Sequence, residues 1–142
     1  MMRMDKLTIK SQEALQEAQR IADTKGNQEL QPEHLLLALL QDDEGIVVEI
    51  LQKFGFDINL LKKDITSEID KFPKVMGATP IGQLYISHRL KNVFEDAFKK
   101  AEHLRDEYIS TEHLLLGILN EGGNAAKILN RYNVTQQKVL EV

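Results

Sequence analysis

Two nearly identical octets decide the fold of this chain: EHLLLALL at residues 33–40 and EHLLLGIL at residues 112–119. Six of their eight positions are identical, and the second octet begins 79 residues after the first. Chance rarely produces such a match in a chain of 142 residues. The octets therefore indicate an internal duplication, which should govern both the fold and the function.

The duplication extends well beyond the octets. At the same offset of 79, the matched pairs are Leu7 and Ile86, Thr8 and Ser87, Ala18 and Ala97, Ala22 and Ala101, and Leu30 and Ile109. From Gly45 onward the offset is 78, which pairs Gly45 with Gly123 and Phe54 with Tyr132. Duplicated units of this kind usually need each other to bury their apolar faces. We therefore expect one globular domain over residues 1–142, with repeat 1 at about 7–72, a linker at 73–86 and repeat 2 at about 87–142.

Apolar spacing makes both repeats helical. Residues 87–104 place apolar side chains at i, i+3, i+4 and i+7, as an amphipathic helix does, and residues 8–25 repeat the pattern. Thr8 and Ser87 suit the N-caps of these two helices. Gly55 and Asn133 suit the left-handed position that ends a later helix in each repeat. The prediction is an all-α domain of two tandem pseudo-symmetric four-helix repeats, with no convincing strand.

Composition narrows the function classes. The chain is 42% hydrophobic and 28% charged, has a net charge of −4 and contains no cysteine. Those values are ordinary for a soluble globular protein. Lys and Arg are scattered, which argues against nucleic acid as a partner. No run approaches the ~18 apolar residues of a membrane helix, and the first residues do not resemble a signal peptide. We expect a cytoplasmic protein with no membrane partner.

The linker contains the one stretch that invites a nucleotide-binding interpretation. Gly77 and Gly82 have the glycine spacing of a phosphate-binding loop, but Gln83 and Leu84 stand where that loop needs Lys and Ser or Thr. We therefore expect no ATPase activity and no cofactor in this domain itself.

The histidines of the octets raise a second possible chemistry. His34 and His113 each follow a glutamate, but neither octet contains the H-E-x-x-H spacing, and adjacent helical residues point too far apart to share a metal easily. We interpret both as packed or solvent-facing histidines. A metal-dependent hydrolase that uses these histidines and the neighbouring glutamates is the alternative from a different class.

Glu33 and Glu112 have two interpretations. In the first turn of a helix, a carboxylate is stabilised by the helix dipole by roughly 0.3 to 1 kcal/mol. Alternatively, the duplication creates two equivalent polar sites, Thr8 with Glu33 and Ser87 with Glu112, that accept a cationic group.

Several stretches also carry a family resemblance. They are TIKSQEALQEAQ at 8–19, PEHLLLALL at 32–40, FPKV at 72–75 and DEYISTEHLLLGIL at 106–119. With the duplication, they make the whole chain resemble the N-terminal domains of the Clp ATPases, above all those of the ClpB disaggregases. The resemblance implies a mobile recognition domain, itself monomeric, attached to AAA+ ATPase modules that use ATP and magnesium. Such a parent is a homohexamer that threads aggregated polypeptides through its pore in the stress response.

The resemblance also implies a site for unfolded or aggregated polypeptides. Positions matching Thr8, Asp106 and Glu112 are associated with chaperone function in ClpB relatives, and an apolar groove in the second repeat receives exposed hydrophobic segments.

The lining of that groove differs in this chain. At positions that are leucines in some relatives, this chain has Asp96, Lys100 and His113. The expected substitute lining consists of Val75, Met76, Val93 and Phe94.

A ClpC-type domain is the alternative within the family. Such domains bind adaptor proteins or phosphoarginine-marked substrates for a Clp protease. The positions matching the phosphoarginine residues are Thr8, Glu33, Ser87 and Glu112. However, that branch usually carries Gly-Thr before both Glu-His pairs, whereas this chain has Gln31-Pro32 and Ser110-Thr111. ClpB relatives also have a co-chaperone system as a further class of partner.

Overall fold

The structure is a computed structural model that describes residues 4–75 and 85–142. After a short 3-10 turn at Met4–Lys6, the first repeat contributes α1 (Ile9–Thr24), α2 (Pro32–Gln41), α3 (Ile46–Gln52) and α4 (Ile58–Ile69). The second contributes α5 (His88–His103), α6 (Thr111–Glu121), α7 (Asn124–Arg131) and α8 (Gln136–Glu141). The all-α class and the arrangement of four helices in each repeat are confirmed.

Two short parallel pairings link the repeats, and the sequence did not predict them. Strand β1 (Glu29–Leu30) pairs with β2 (Tyr85–Ile86), and an isolated bridge joins Leu7 to Ile109. These two pairings are equivalent under the offset of 79. In each of them, the residues just before the first helix of one repeat pair with the residues just before the octet helix of the other repeat. Strands of two residues are too short to show an alternating pattern, which explains why they were missed.

The predicted helix caps are present. The Thr8 side chain accepts a hydrogen bond from the Ser11 amide at 3.1 Å, and the Ser87 side chain accepts one from the Leu90 amide at 3.0 Å. Gly55 and Asn133 adopt the left-handed conformation, with φ of 82° and 66°. Local sequence signals therefore set the helix boundaries in both repeats.

The octets meet in one core that both repeats share. Its fully buried members include Leu35 and Leu36 of α2 and Leu114, Leu115 and Ile118 of α6. Glycine is required at position 117, because a Cβ there would lie 2.5 Å from the Val93 carbonyl oxygen of α5. The matching residue in α2 is Ala38.

Removing a core leucine should destabilise the domain far more than removing an exposed one. We predict that Leu115→Ala, at a fully buried position, lowers the free energy of unfolding by about 2 to 5 kcal/mol. The matched control is Leu60→Ala, because Leu60 is 52% exposed. Urea unfolding followed by circular dichroism measures both changes. Equal, small losses would contradict the shared core.

Candidate functional site at the junctions between the repeats

The two repeats meet at two pseudo-equivalent junctions, and one of them is filled by an ion pair between a buried carboxylate and a partly exposed guanidinium. We call it the closed junction: Glu33, Arg89, Glu121 and Ala125. Arg89 donates from Nη2 to Oε2 of Glu33 at 2.9 Å and from Nε to Oε2 of Glu121 at 3.0 Å. The Ala125 amide, in the first turn of α7, donates to the same Glu33 oxygen at 3.0 Å. Glu33 is fully buried, so its carboxylate joins α2 to α5 and α7.

The Arg89 guanidinium stays charged in the closed junction. Burial disfavours the Arg89 cation, but hydrogen bonds and charges from Glu121 and Glu33 outweigh burial and raise the pKa of the guanidinium. Removing Arg89 would leave the Glu33 carboxylate buried without a cation. Glu33 is therefore a structural carboxylate that is already occupied by a cation of its own chain.

The second junction is open. We define it by the residues that match the closed one: Lys10 for Arg89, Asp42 for Glu121, Val47 for Ala125 and Glu112 for Glu33. Its Lys10 side chain is 67% exposed, with Nζ 3.7 Å from Oδ2 of Asp42. Glu112 is half-buried and makes no ion pair or hydrogen bond with any other side chain in 4–75 and 85–142.

A cavity of about 440 Å³ lies at the open junction. Its wall includes Lys10, Asp42, Gly45, Val47 and Thr111, whereas Glu112 is not among the described residues that line it. In the closed junction the corresponding space is taken by the guanidinium of Arg89, which lies so close to Gly123 that a Cβ there would clash with it. The planar fork of arginine binds two carboxylates at once, whereas the compact ammonium of lysine does not. This difference, together with Asp42 in place of Glu121 and Val47 in place of Ala125, separates the open junction from the closed one.

The junctions pair residues across the repeats, which corrects the predicted pairing within each repeat. The Thr8 amide donates to the carbonyl of Ile109, just before the helix that carries Glu112. The Ser87 amide donates to the carbonyl of Leu30, just before the helix that carries Glu33. Thr8 therefore belongs with the open junction and Ser87 with the closed one. The crossed β pairings are the physical reason.

Both octet histidines are helix caps. His34 Nδ1 accepts from the Gln31 amide at 2.9 Å, and its Nε2 lies 2.9 Å from Oδ1 of Asn27. Its buried ring explains why the pKa of His34 is lowered to about 4.

The second octet repeats this arrangement with one change. His113 Nδ1 accepts from the Ser110 amide at 2.9 Å, and its Nε2 lies 2.8 Å from Oδ2 of Asp106. Asp106 matches Asn27 at the offset of 79. Within 4–75 and 85–142, no three His, Cys, Asp or Glu side chains converge in a way that could hold a metal ion. Capping therefore explains the recurrence of histidine in the octets.

Comparison with known proteins assigns the family. Residues 6–132 match the family model described as the Clp repeat (R) N-terminal domain. The chain belongs to the Clp N-terminal domain family. The resemblance inferred from the octets and the flanking stretches is thereby confirmed.

Relatives and solved structures agree with that assignment. Chaperone protein ClpB of Bacillus cereus is 39% identical over 141 residues, which is 99% of this chain and 16% of that protein. Chaperone protein ClpB of Rhodopirellula baltica is 38% identical over 138 residues, 97% of this chain and 15% of that one. This Clp N-terminal domain thus spans about a sixth of the curated relatives it matches.

Two solved structures show the same fold. The Hsp104 N-terminal domain from Candida albicans superposes with a TM-score of 0.81 at 17% identity, covering 94% of this chain and 85% of that one. The ClpV N-domain in complex with a VipB peptide gives a TM-score of 0.73 at 18% identity, covering 97% and 89%.

The Clp N-terminal domain does not present all the predicted groove residues to solvent. Val93 and Phe94 are 0% and 4% exposed, so the prediction that they line an accessible groove is wrong. They lie on the buried stripe of α5, where Val93 backs Gly117. Val75 is half-buried. Met76 lies outside the described residues.

The three positions that are leucines in some relatives lie in two different parts of the structure. Asp96 and Lys100 line a second cavity of about 420 Å³, which also touches Leu116 and Gln136. His113 is instead buried in its cap. The second-repeat cavity therefore exists, but charged and polar side chains border it.

Three exposed apolar residues at the start of α1 and in the α5–α6 loop were not predicted. Ile9 is 75% exposed, Tyr108 is 50% exposed and Leu104 is 45% exposed. The bridge between Leu7 and Ile109 brings the start of α1 beside the end of the α5–α6 loop, so Ile9 and Tyr108 lie at the same end of the molecule. The sequence did contain a signal for the exposure of Ile9, because this residue lies outside the apolar stripe of α1.

No helix in 4–75 or 85–142 combines the length and the apolar character required to cross a membrane.

The two octet glutamates should differ sharply in their effect on stability. We predict that Glu33→Gln lowers the free energy of unfolding by about 1.5 to 3 kcal/mol, because Arg89 and the Ala125 amide both lose a charged acceptor. Glu112→Gln is the pseudo-symmetric control and should change stability by less than about 0.5 kcal/mol. Chemical denaturation measures both. Equal losses would show that the two junctions are alike.

His34 should make stability depend on pH. The unfolded imidazole titrates near 6.5 and the folded one near 4, so the unfolded state binds more protons between these values. The stabilising effect of the neutral ring is complete above 6.5 and declines as the pH falls. It should be about 2 kcal/mol smaller at pH 5 than at pH 7.

His34→Gln tests this account, since glutamine at the third helical position can also complete the cap but does not titrate. The stability advantage of the wild type over this variant should shrink as the pH falls from 7 to 5, in denaturant titrations at each pH. A constant difference would refute the assignment to His34.

Proposed function

We propose that this Clp N-terminal domain recognises unfolded or aggregated polypeptides for a ClpB-type disaggregase. It binds exposed apolar segments and passes them to AAA+ modules outside this chain, in a cytoplasmic homohexamer that uses ATP and magnesium. The domain supplies recognition rather than catalysis. The 39% identity to chaperone protein ClpB of Bacillus cereus, over 99% of this chain, supports the proposal.

The observation that carries the proposal is a set of exposed apolar side chains at the start of α1 and in the α5–α6 loop. Ile9, Leu104 and Tyr108 are each at least 45% exposed. Thr8 directly precedes Ile9, and Asp106 lies between Leu104 and Tyr108 in the sequence. Apolar surface with a polar rim is typical of sites that bind other proteins.

The affinity should be weak. Three separated side chains offer little area compared with the roughly 800 Å² that each partner buries in a stable complex. A domain that hands substrate to a motor also needs to release it. Adaptor proteins or a co-chaperone system are further partners for the same surface, and the ClpV N-domain complexed with a VipB peptide offers a parallel on this fold.

A ClpC-like function is the second candidate, and a specific observation favours it. Glu112 lies at the open junction with no cation from the described residues bonded to it, so it could receive the guanidinium of a phosphoarginine-marked substrate. Glu33 cannot act in the same way, because Arg89 already holds it in the closed junction. Of the two equivalent sites, only one would therefore bind.

Titration of a fluorescent, permanently unfolded polypeptide tests the main proposal. We predict that Ile9→Asp with Tyr108→Asp weakens binding at least about fivefold, because the charges oppose burial of apolar segments. Leu60→Asp on α4 is the matched control, since Leu60 is exposed to a similar degree. Circular dichroism verifies folding.

Two outcomes would redirect the assignment. If the double variant binds like the wild type while the control does not, the apolar site is elsewhere. If only phosphoarginine-marked polypeptide binds, and Glu112→Ala abolishes that binding, the ClpC-like function replaces the ClpB-like one.

A further inference from the structure

The α1–β1 loop, residues 25–28, holds an extended segment of its own chain that follows α4. The amide of Val75 donates to the carbonyl of Gly26 at 2.8 Å. Nδ2 of Asn27 donates to the carbonyl of Pro73 at 3.1 Å. Both bonds go to the backbone of the segment. The loop therefore binds extended polypeptide without reading its side chains.

The α5–α6 loop, residues 104–110, repeats the backbone of the α1–β1 loop. Arg105 and Gly26 occupy matching positions and both are left-handed, with φ of 62° and 73°. The next residue in each loop, Asp106 or Asn27, donates its amide to the last turn of the preceding helix at 2.8 or 2.9 Å. Its side-chain oxygen lies 2.8 or 2.9 Å from Nε2 of the octet histidine. A segment that fits the first loop therefore finds the same backbone at the second.

The α5–α6 loop is uncovered, in contrast to the α1–β1 loop. Residues 104–106 are all exposed, whereas their counterparts at 25–27 are half-buried or buried. Within 4–75 and 85–142, no group donates a hydrogen bond to the carbonyl of Arg105 or to Oδ1 of Asp106. Two acceptors thus point to solvent at the place where the first loop holds its segment.

We propose that the α5–α6 loop docks an extended segment of the recognised polypeptide, which lies on it as residues 72–75 lie on the α1–β1 loop. The inference rests on the proposed function for the source of the segment, and it adds how the segment is held. One backbone amide of the segment donates to the carbonyl of Arg105, and a second donates to Oδ1 of Asp106. Leu104 and Tyr108, which are 45% and 50% exposed, contact its apolar side chains.

This mode of docking suits a recognition domain. Main-chain hydrogen bonds supply affinity in β-strand addition, whereas side chains supply specificity. A loop that bonds mainly to the backbone accepts many different unfolded sequences. The chain's own segment does not fill it, because Asp70 and Val75 are bonded to Lys25 and Gly26 of the α1–β1 loop.

The two loops differ in one side chain that contacts the segment. The Asn27 amide group donates to a carbonyl, but the Asp106 carboxylate can only accept. A carbonyl in the place of the Pro73 carbonyl would therefore face a negative charge at the second loop. The native segment must present an N–H there instead.

A peptide with the sequence of residues 70–75, DKFPKV, with blocked ends, is the probe, because the structure shows how this sequence fits such a loop. Titrated into the isotopically labelled 142-residue chain, it should shift the amide resonances of Arg105 and Asp106. The resonances of Gly26 and Asn27 should stay in place, since the first loop is already occupied.

Removing single amide protons from the peptide tests the backbone bond. N-methylation of the peptide's valine, which matches Val75, removes the donor and should weaken binding about threefold to tenfold, as expected for one backbone hydrogen bond. N-methylation of its second lysine is the matched control, because the Lys74 amide makes no hydrogen bond among the described residues. That change should weaken binding less than about twofold.

Asp106→Asn gives the second loop the side chain of the first. It should tighten binding of this peptide at least about threefold, because an amide group can donate to the proline carbonyl. The peptide has two lysines and one aspartate, a net charge of 2 − 1 = +1, so loss of a carboxylate alone would weaken binding. Glu102→Gln, at an exposed position near the end of α5, is the control of equal charge change and should not tighten binding. The His113 cap should survive, since Asn27 holds His34 in the same way.

Three results would overturn the proposal: shifts at Gly26 and Asn27 in place of those at Arg105 and Asp106, equal losses from the two N-methylated peptides, or unchanged or weaker binding to Asp106→Asn. The fluorescent unfolded polypeptide separates this inference from the proposed function. If that polypeptide binds but neither it nor the peptide shifts the Arg105 and Asp106 resonances, the docking loop is wrong and the function stands. If the peptide behaves as predicted but the unfolded polypeptide does not bind, the function fails and the loop remains a site for extended peptides.

Discussion

The buried ion pair between Glu33 and Arg89 is the interaction on which the arrangement of the two repeats depends. It joins the octet helix of one repeat to the first long helix of the other, and the same carboxylate caps the start of α7 through the Ala125 amide. Hydrophobic burial supplies most of the driving force for joining the repeats, but it is not directional. The ion pair and the crossed β pairings fix how the repeats are placed.

Duplication produced two such junctions, and they differ most clearly in the basic residue of the first long helix, Arg89 in one and Lys10 in the other. Where the first long helix carries Arg89, the carboxylates are satisfied and the space is filled. Where it carries Lys10, the side chain stays in solvent and a cavity of about 440 Å³ remains. One junction is thus filled by a cation of the chain itself, and the other leaves a cavity.

Much of this fold could be predicted from periodicity and capping residues. The octets, Thr8, Ser87, Gly55 and Asn133 all act locally, through helix formation within a few residues. The crossed pairing could not be predicted, because it depends on contacts between residues 56 and 102 positions apart, in strands too short to show a pattern. The site was predicted less well for the same reason: the octet glutamates look equivalent in sequence, and only the contact of Arg89 with Glu33 distinguishes them. Val93 and Phe94 were misplaced because an apolar stripe predicts burial, whereas their proposed role required exposure.

Native-state hydrogen exchange of two backbone amides tests the difference between the junctions most directly. Ala125 and Val47 occupy matching positions at the starts of α7 and α3, and their side chains are 0% and 2% exposed. The Ala125 amide donates to Glu33, whereas Glu112 makes no such bond to the Val47 amide among the described residues. The Ala125 amide should exchange at least about tenfold more slowly than the Val47 amide, since its exchange requires breaking a charge-assisted hydrogen bond. Equal protection of the two amides, or stronger protection at Val47, would contradict the assignment of one closed and one open junction.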